Sequence, residues 1–303
     1  MSNSENKTVV CYGEVLWDML PTGKQPGGAP MNVAYHLQQL GKHPTVISKV
    51  GFDDLGKQLI ETLAAKNIPT DFIQIDHEKP TSVVTATFKN KQEMVYTISE
   101  DVAWDYIEKM PNQESIVRHA NYFVYGSLAA RNRQSFEALL SLLEMANLKT
   151  LDLNLRAPFY NRDLLEVLLS SADILKVNRD ELELVSGWFS ALSAEKEQMQ
   201  LVKDRFHLQS IMLTRGKAGA ILNIADEWHA TNGLPIQVED TIGCGDAFLA
   251  AFISKQIENK TIDETLRHAN QLAAFIATKK GACPGYELSS VNAWADSLLP
   301  NLD

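Results

Sequence analysis

Asp240-Thr241-Ile242-Gly243-Cys244-Gly245-Asp246-Ala247-Phe248 sets two glycines and a carboxylate where a loop turns into an apolar helix. The first turn of a helix has backbone N–H groups without helical partners and the positive end of the dipole, so such a start can hold an anion. Gly243 and Gly245 let the backbone come close to a ligand, and Asp246 falls in the first turn as a candidate general base. The same run also reads as a tight turn followed by a capping aspartate. Context separates the two.

The chain has 303 residues, 45% of them hydrophobic, enough for one large α/β domain or two smaller ones. Its formal charge of −10 opposes non-specific attraction to nucleic acid or anionic lipid, so neither is an expected partner. An anionic ligand must then be held by dipoles, a few placed cations and metal ions. The first residues lack a signal-peptide pattern, and no stretch approaches the roughly 18 apolar residues of a membrane span, so a cytoplasmic location is expected. Cys11, Cys244 and Cys283 lack metal-like spacing and are expected to be reduced thiols.

Short β-branched runs at 8 to 13, 45 to 50, 121 to 126, 149 to 153, 172 to 177 and 210 to 214 predict buried strands. Helical patterns fall near 31 to 40, 54 to 66, 134 to 147, 161 to 170, 194 to 207, 244 to 258 and 261 to 279. This alternation predicts a doubly wound, mostly parallel sheet with helices on both faces. Residues 82 to 88 and 93 to 98 flank the polar Lys89-Asn90-Lys91-Gln92 and predict a hairpin. Together with the irregular stretch 14 to 26, the region 81 to 104 is expected to form a small β-sheet lid over the ligand crevice of a single domain.

A second glycine cluster, Gly27-Gly28-Ala29-Pro30-Met31-Asn32-Val33-Ala34, again precedes a helical pattern. With the run at 240 to 248, it resembles the two signatures of the ribokinase-like (PfkB) carbohydrate kinases. The resemblance continues in collinear order through Gly13-Glu14-Val15-Leu16-Trp17-Asp18, Gly51-Phe52-Asp53-Asp54-Leu55-Gly56, Asp152-Leu153-Asn154-Leu155-Arg156, Asn178-Arg179-Asp180-Glu181 and Thr214-Arg215-Gly216-Lys217-Ala218-Gly219.

This likeness implies transfer of the γ-phosphoryl of ATP to a sugar hydroxyl. It makes Asp246 the base and the amides of Gly243, Cys244 and Gly245 the anion hole. Asp18, Gly28 and Asn32 then face the sugar, and Arg156 faces the ligand with a phosphate-pairing guanidinium. Asn178, Thr214, Gly216, Gly219 and Asn270 fall to the nucleotide, with Lys217 a weaker phosphate contact. Glu181 is expected to organise Mg²⁺ through water. Asp240 and the loop Gly281-Ala282-Cys283-Pro284-Gly285 correspond to a K⁺ site found in some members. A homodimer formed through the lid is a further expectation.

Gly-Gly-Ala-Pro at 27 to 30, Gly-Glu-x-Leu-Trp-Asp at 13 to 18 and Asp-x-Asn-x-Arg-x-Pro-Phe-Tyr at 152 to 160 are most similar to fructokinases, whose product is fructose 6-phosphate. Ribose, 2-keto-3-deoxygluconate, another ketose or a nucleoside stay open as substrates. From other classes, an NAD-dependent oxidoreductase would carry Gly-x-Gly-x-x-Gly after the first strand, whereas here Gly13 is followed by Glu14-Val15. An inactive sugar-binding regulator would not need Asp246 and its glycines.

Overall fold

The computed structural model describes residues 8–20, 23–90 and 93–298. Strands β1 (Thr8–Tyr12), β2 (Leu16–Leu20) and β3 (Gly23–Gly27) lead into helix α1 (Ala29–Gln39). Next come β4 (His43–Gly51), α2 (Asp54–Ala65), β5 (Ile73–Asp76), β6 (Val83–Asn90), β7 (Glu93–Ile98) and α3 (Pro111–His119). The chain continues through β8 (Tyr122–Gly126), α4 (Arg133–Leu143), β9 (Leu148–Asp152), α5 (Arg162–Ser170), β10 (Ile174–Asn178), α6 (Arg179–Ser186) and α7 (Glu195–Phe206). It closes with β11 (Ser210–Thr214), β12 (Ala220–Ile224), β13 (Glu227–Thr231), α8 (Cys244–Ile257), α9 (Ile262–Ala277) and α10 (Leu288–Leu298).

Nine strands form the main sheet in the order β13-β12-β11-β10-β9-β8-β1-β4-β5. From β5 to β11 the pairing is parallel, and β12 and β13 are added antiparallel. Side chains alternate across a strand, so each strand feeds both faces. Val9 and Cys11 of β1 join Leu37 of α1, Phe252 of α8 and Leu272 of α9 in one core. Val10 and Tyr12 point the other way, into a core with Leu139 of α4, Leu165 of α5 and Val202 of α7. Burial on both faces explains why these strands read as continuous apolar runs.

The second sheet has four strands in the order β3-β2-β6-β7. The hairpin expected at 82 to 98 is β6 paired antiparallel with β7; its turn residues Lys91 and Gln92 lie outside the described residues. Pro21 and Thr22, from the irregular stretch, lie outside them too. The small sheet is narrower than the sequence suggests. Glu14 and Val15 are buried in the body, and Val102 and Trp104 sit in its core, because an apolar Val-Ala-Trp turn finds its partners beneath the sheet.

Candidate active site

β1 has β4 on one side and β8 on the other, and the chain winds outward from it in both directions. A crevice opens beyond the carboxyl ends of the strands at such a switch point. Here it is a cavity of about 760 Å³ whose lining includes Asp18, Gly28, Asn32, Arg156, Gly243, Gly245 and Asp246. Ile98 of β7 and Leu16 of β2 wall it from the small sheet.

Gly243 caps α8 with φ of 77°, the left-handed region, and a side chain there would stand 2.6 Å from the Ala282 Cα. Glycine meets both demands. The turn then delivers Asp246 to the first turn of α8 with only 8% of its surface exposed. Asn32 Nδ2 donates to Asp246 Oδ2 at 2.8 Å, and Asn32 Oδ1 accepts from Cys283 Sγ at 3.2 Å. Burial pushes the Asp246 carboxyl up to about 6, with repulsion from Asp152 adding to it, against the Asn32 bond and the charges of Lys176 and Arg156. A carboxylate so placed is ionised near neutrality and basic enough to take a proton. The Cys244 amide, expected in the anion hole, donates to the Thr241 carbonyl at 3.3 Å, because the turn that places Gly243 folds the chain back on itself.

Asp18 belongs to a strand of the small sheet rather than to the end of the first strand. It lies in the middle of β2, opposite Gln25 of β3 and Val84 of β6, after a break at Gly13 to Val15. Partial burial lifts its carboxyl up to about 6, and Arg156 acts in the other direction. Gly27 is required beside it, since a side chain at 27 would collide with the Asp18 carboxylate. Gly28 has φ of 111° and lies against the Glu14 carbonyl, again with no room for a side chain. Arg156 is exposed on the loop after β9, and its charge acts on Glu14, Asp18 and Asp246 together.

The residues expected at the nucleotide form a second group on the adjacent rim and do not line this cavity. Asn178 and Thr214 are register partners at the ends of β10 and β11. Gly216 and Gly219 have positive φ in the connection to β12, and Gly219 packs against the carbonyl of Thr231, leaving Lys217 exposed between them. Asn270 is buried in α9 and donates to the Asn232 carbonyl at 2.9 Å, so its amide fastens that loop. Asn178 caps α6 through a capping box with Glu181. Both Glu181 oxygens accept backbone N–H groups at 2.9 Å, from Leu155 and from Asn178. Among the described residues no cluster of three or more His, Cys, Asp and Glu side chains is disposed to hold a metal ion.

Asp240 bridges two loops, accepting from Ile242 N and Gly281 N at 3.0 Å each. The 281 to 286 segment is held by His36, whose Nε2 meets the Ala282 carbonyl at 2.9 Å and whose Nδ1 meets the Tyr286 hydroxyl at 3.0 Å. A carbonyl only accepts, so Nε2 carries the proton and Nδ1 accepts from Tyr286. Burial holds this imidazole down to about 4, and it is neutral.

Three buried polar residues of the site had no assignment from the sequence. Glu14 accepts from Ala29 N at 3.0 Å and holds the Gly-Gly turn, while its Oε2 has no partner among the described residues. Burial lifts its carboxyl up to about 7. Asp152 and Lys176 form an ion pair, with Nζ 2.8 Å from each carboxylate oxygen. A signal was present: Lys176 interrupts Ile174-Leu175-Lys176-Val177, and a charge inside a strand buried on both faces needs a partner.

Known proteins share the fold and the family of this chain. Probable fructokinase-6, chloroplastic, of Arabidopsis thaliana is 28% identical over 314 residues, covering 93% of this chain and 80% of that protein. The crystal structure of fructokinase with bound ATP from Xylella fastidiosa has a TM-score of 0.86 at 22% identity, over 96% of this chain and 99% of that one. Fructokinase from Vibrio cholerae O395, solved with fructose, ADP and calcium, gives 0.81 at 20%, over 96% and 99%. These structures share the fold. Residues 6–288 match the pfkB family carbohydrate kinase model, and the chain belongs to that family of carbohydrate kinases.

Proposed function

We propose that this protein is an ATP-dependent fructokinase that forms fructose 6-phosphate, with Asp246 as the base. The observation that carries this reading is the Asn32–Asp246 contact of 2.8 Å in a cavity also lined by Asp18 and Arg156. Asp18 accepts hydrogen bonds from sugar hydroxyls, and Asn32 both donates and accepts. The sugar oxygen gives its proton to Asp246 while the amides of Gly243 and Gly245 receive the charge of the moving phosphoryl group. The small sheet acts as a lid that keeps water from this transfer.

ATP is the co-substrate, in line with the family and with the ligands named for the Xylella and Vibrio proteins. Its phosphates reach the rim formed by Asn178, Thr214, Gly216 and Gly219. Mg²⁺ neutralises phosphate charge when bound. With both oxygens engaged by backbone amides, Glu181 suits contact with it through water better than direct ligation. Asp240 and the loop at Gly281, already tied together at 3.0 Å, are the place for a monovalent cation. Two copies would associate through β3 or β7, the edges of the small sheet, and sedimentation tests that pairing.

An ATP-coupled assay across ketoses, aldoses and nucleosides tests the reading. Fructose is expected to give the highest kcat/KM. Preference for ribose, 2-keto-3-deoxygluconate or a nucleoside would move the substrate within the family, and phosphorylation of none would remove the function.

A further inference from the structure

Lys176 sits in β10, between β9 and β11 in the sheet. Alternation along the strand gives it the same face as Ile174, which packs into the core that contains α8. It is 6% exposed and lines the cavity with Gly245 and Asp246. Its ammonium lies 2.8 Å from both oxygens of Asp152. An ammonium has three N–H groups, so one carboxylate does not use them all.

The second glycine of the opening run is explained by this side chain. A Cβ on Gly245 would stand 3.0 Å from Lys176 Nζ and 3.7 Å from its Cε. The glycine is what lets the ammonium lie against the first turn of α8. A cation at a helix N-terminus is in the wrong place by itself, since that end of the dipole is positive. Two positive potentials converge here at the edge of a cavity, an arrangement that suits an arriving anion. Burial works against the Lys176 charge, but Asp152, Asp246 and Glu181 overcome it and raise the ammonium above its ordinary range. Replacing a buried ion pair by apolar residues of similar volume is often neutral or stabilising, so stability alone does not call for this pair.

We propose that Lys176 is a catalytic residue, whose ammonium contacts the oxygens of the transferring phosphoryl group beside the Gly245 amide, with Asp152 as its positioning residue. This rests on the reading of Asp246 as the base. The sugar oxygen bonds to the γ-phosphorus as the bond from that phosphorus to the bridging oxygen breaks, and the electron pair leaves on ADP. The hydroxyl proton goes to Asp246. Lys176 keeps its proton throughout and donates hydrogen bonds that strengthen as charge gathers on the phosphoryl oxygens.

The test is kinetic and calorimetric, on Lys176→Met and on Lys176→Met combined with Asp152→Asn, which removes both charges of the ion pair if the single variant folds poorly. Turnover is expected to fall about 10²- to 10³-fold, the usual loss for one such donor, with the KM for sugar within threefold of the parent. Thermal stabilisation by sugar alone is expected to persist. The further stabilisation from MgADP and aluminium fluoride, which imitates the phosphoryl group in flight, is expected to disappear. A folded double variant with turnover within threefold, or with the aluminium fluoride increment intact, overturns the proposal. Asp246→Asn measured in parallel separates the two readings. Normal turnover there removes the base, whereas loss there with normal Lys176 variants removes only the role of Lys176.

Discussion

Asn32 donates from Nδ2 to Asp246 Oδ2 at 2.8 Å and so joins the first turn of α1 to the first turn of α8 across 214 positions of sequence. The bond favours the ionised carboxylate against burial, which lifts this group to about 6. Asn32→Ala removes that support. With Asp246 as the proposed base, the acid limb of kcat/KM is expected near pH 6 in the parent and roughly one pH unit higher in this variant, as the loss of a hydrogen bond to a charged group implies. A pH-rate profile checks this, and an unmoved limb would detach Asn32 from the proton acceptor.

Asp246→Asn keeps the shape and the Asn32 neighbour but cannot accept the proton. Turnover is expected to fall by about 10²- to 10⁴-fold, the range for a general base, with sugar binding largely preserved. Steady-state kinetics paired with calorimetric sugar titration gives the answer, and near-normal turnover would rule the base out.

The two glycines of the loop have different duties. Gly243→Ala forces a side chain into a φ of 77° and against Ala282, and it is expected to lower stability by about 1–2 kcal/mol or more. Gly245→Ala has no such backbone strain and instead displaces the Lys176 ammonium, 3.0 Å from the new methyl group. Thermal denaturation should reveal the first change, and turnover with little loss of melting temperature the second.

Asp18→Ala removes a carboxylate carried by the small sheet, away from the rim at Asn178 and Thr214. Sugar KM is expected to rise far more than ATP KM. Equal increases in both would take Asp18 off the sugar.

His36 is held neutral with its pKa down to about 4, against an ordinary value of 6.5. As pH falls through this window the unfolded chain takes up a proton that the folded one refuses, so His36 makes stability fall with acidification. Its full effect by pH 4 is about 3 kcal/mol. Glu14, Asp18 and Asp246 act oppositely, because their raised pKa values let the folded state keep protons that the unfolded chain has released. His36→Gln is therefore expected to lose less stability than the parent between pH 7 and pH 5 in urea unfolding. A parallel loss would show that His36 is exposed before the global transition.

Much of the fold is legible because the parallel strands are buried on both faces. The expected strands at 121 to 126 and 210 to 214 are β8 and β11, and the helix expected at 244 to 258 is α8. β5, a four-residue edge strand whose pairing with β4 comes from a distant segment, is not legible in the sequence, and neither are β12 and β13. Asp18 stands three residues before Pro21 in an irregular stretch, and pairing with both β3 and β6 makes it part of a strand. The motif glycines Gly28, Gly243 and Gly245 line the cavity. Lys176, Asp152 and the engaged amide of Asn270 were harder to see, since burial and partnership are made by tertiary packing and leave one letter in the chain.

Asp18 and Asp246 belong to different layers, the first to β2 of the small sheet and the second to α8 beside the main one. Under the proposed reading, the Asp18 share of sugar recognition sits on a different layer from the base, while Asn32 joins the two. A change at Asp18 can therefore alter which hydroxyl pattern is accepted while leaving the helix start in place, whereas a change at Asn32 touches both.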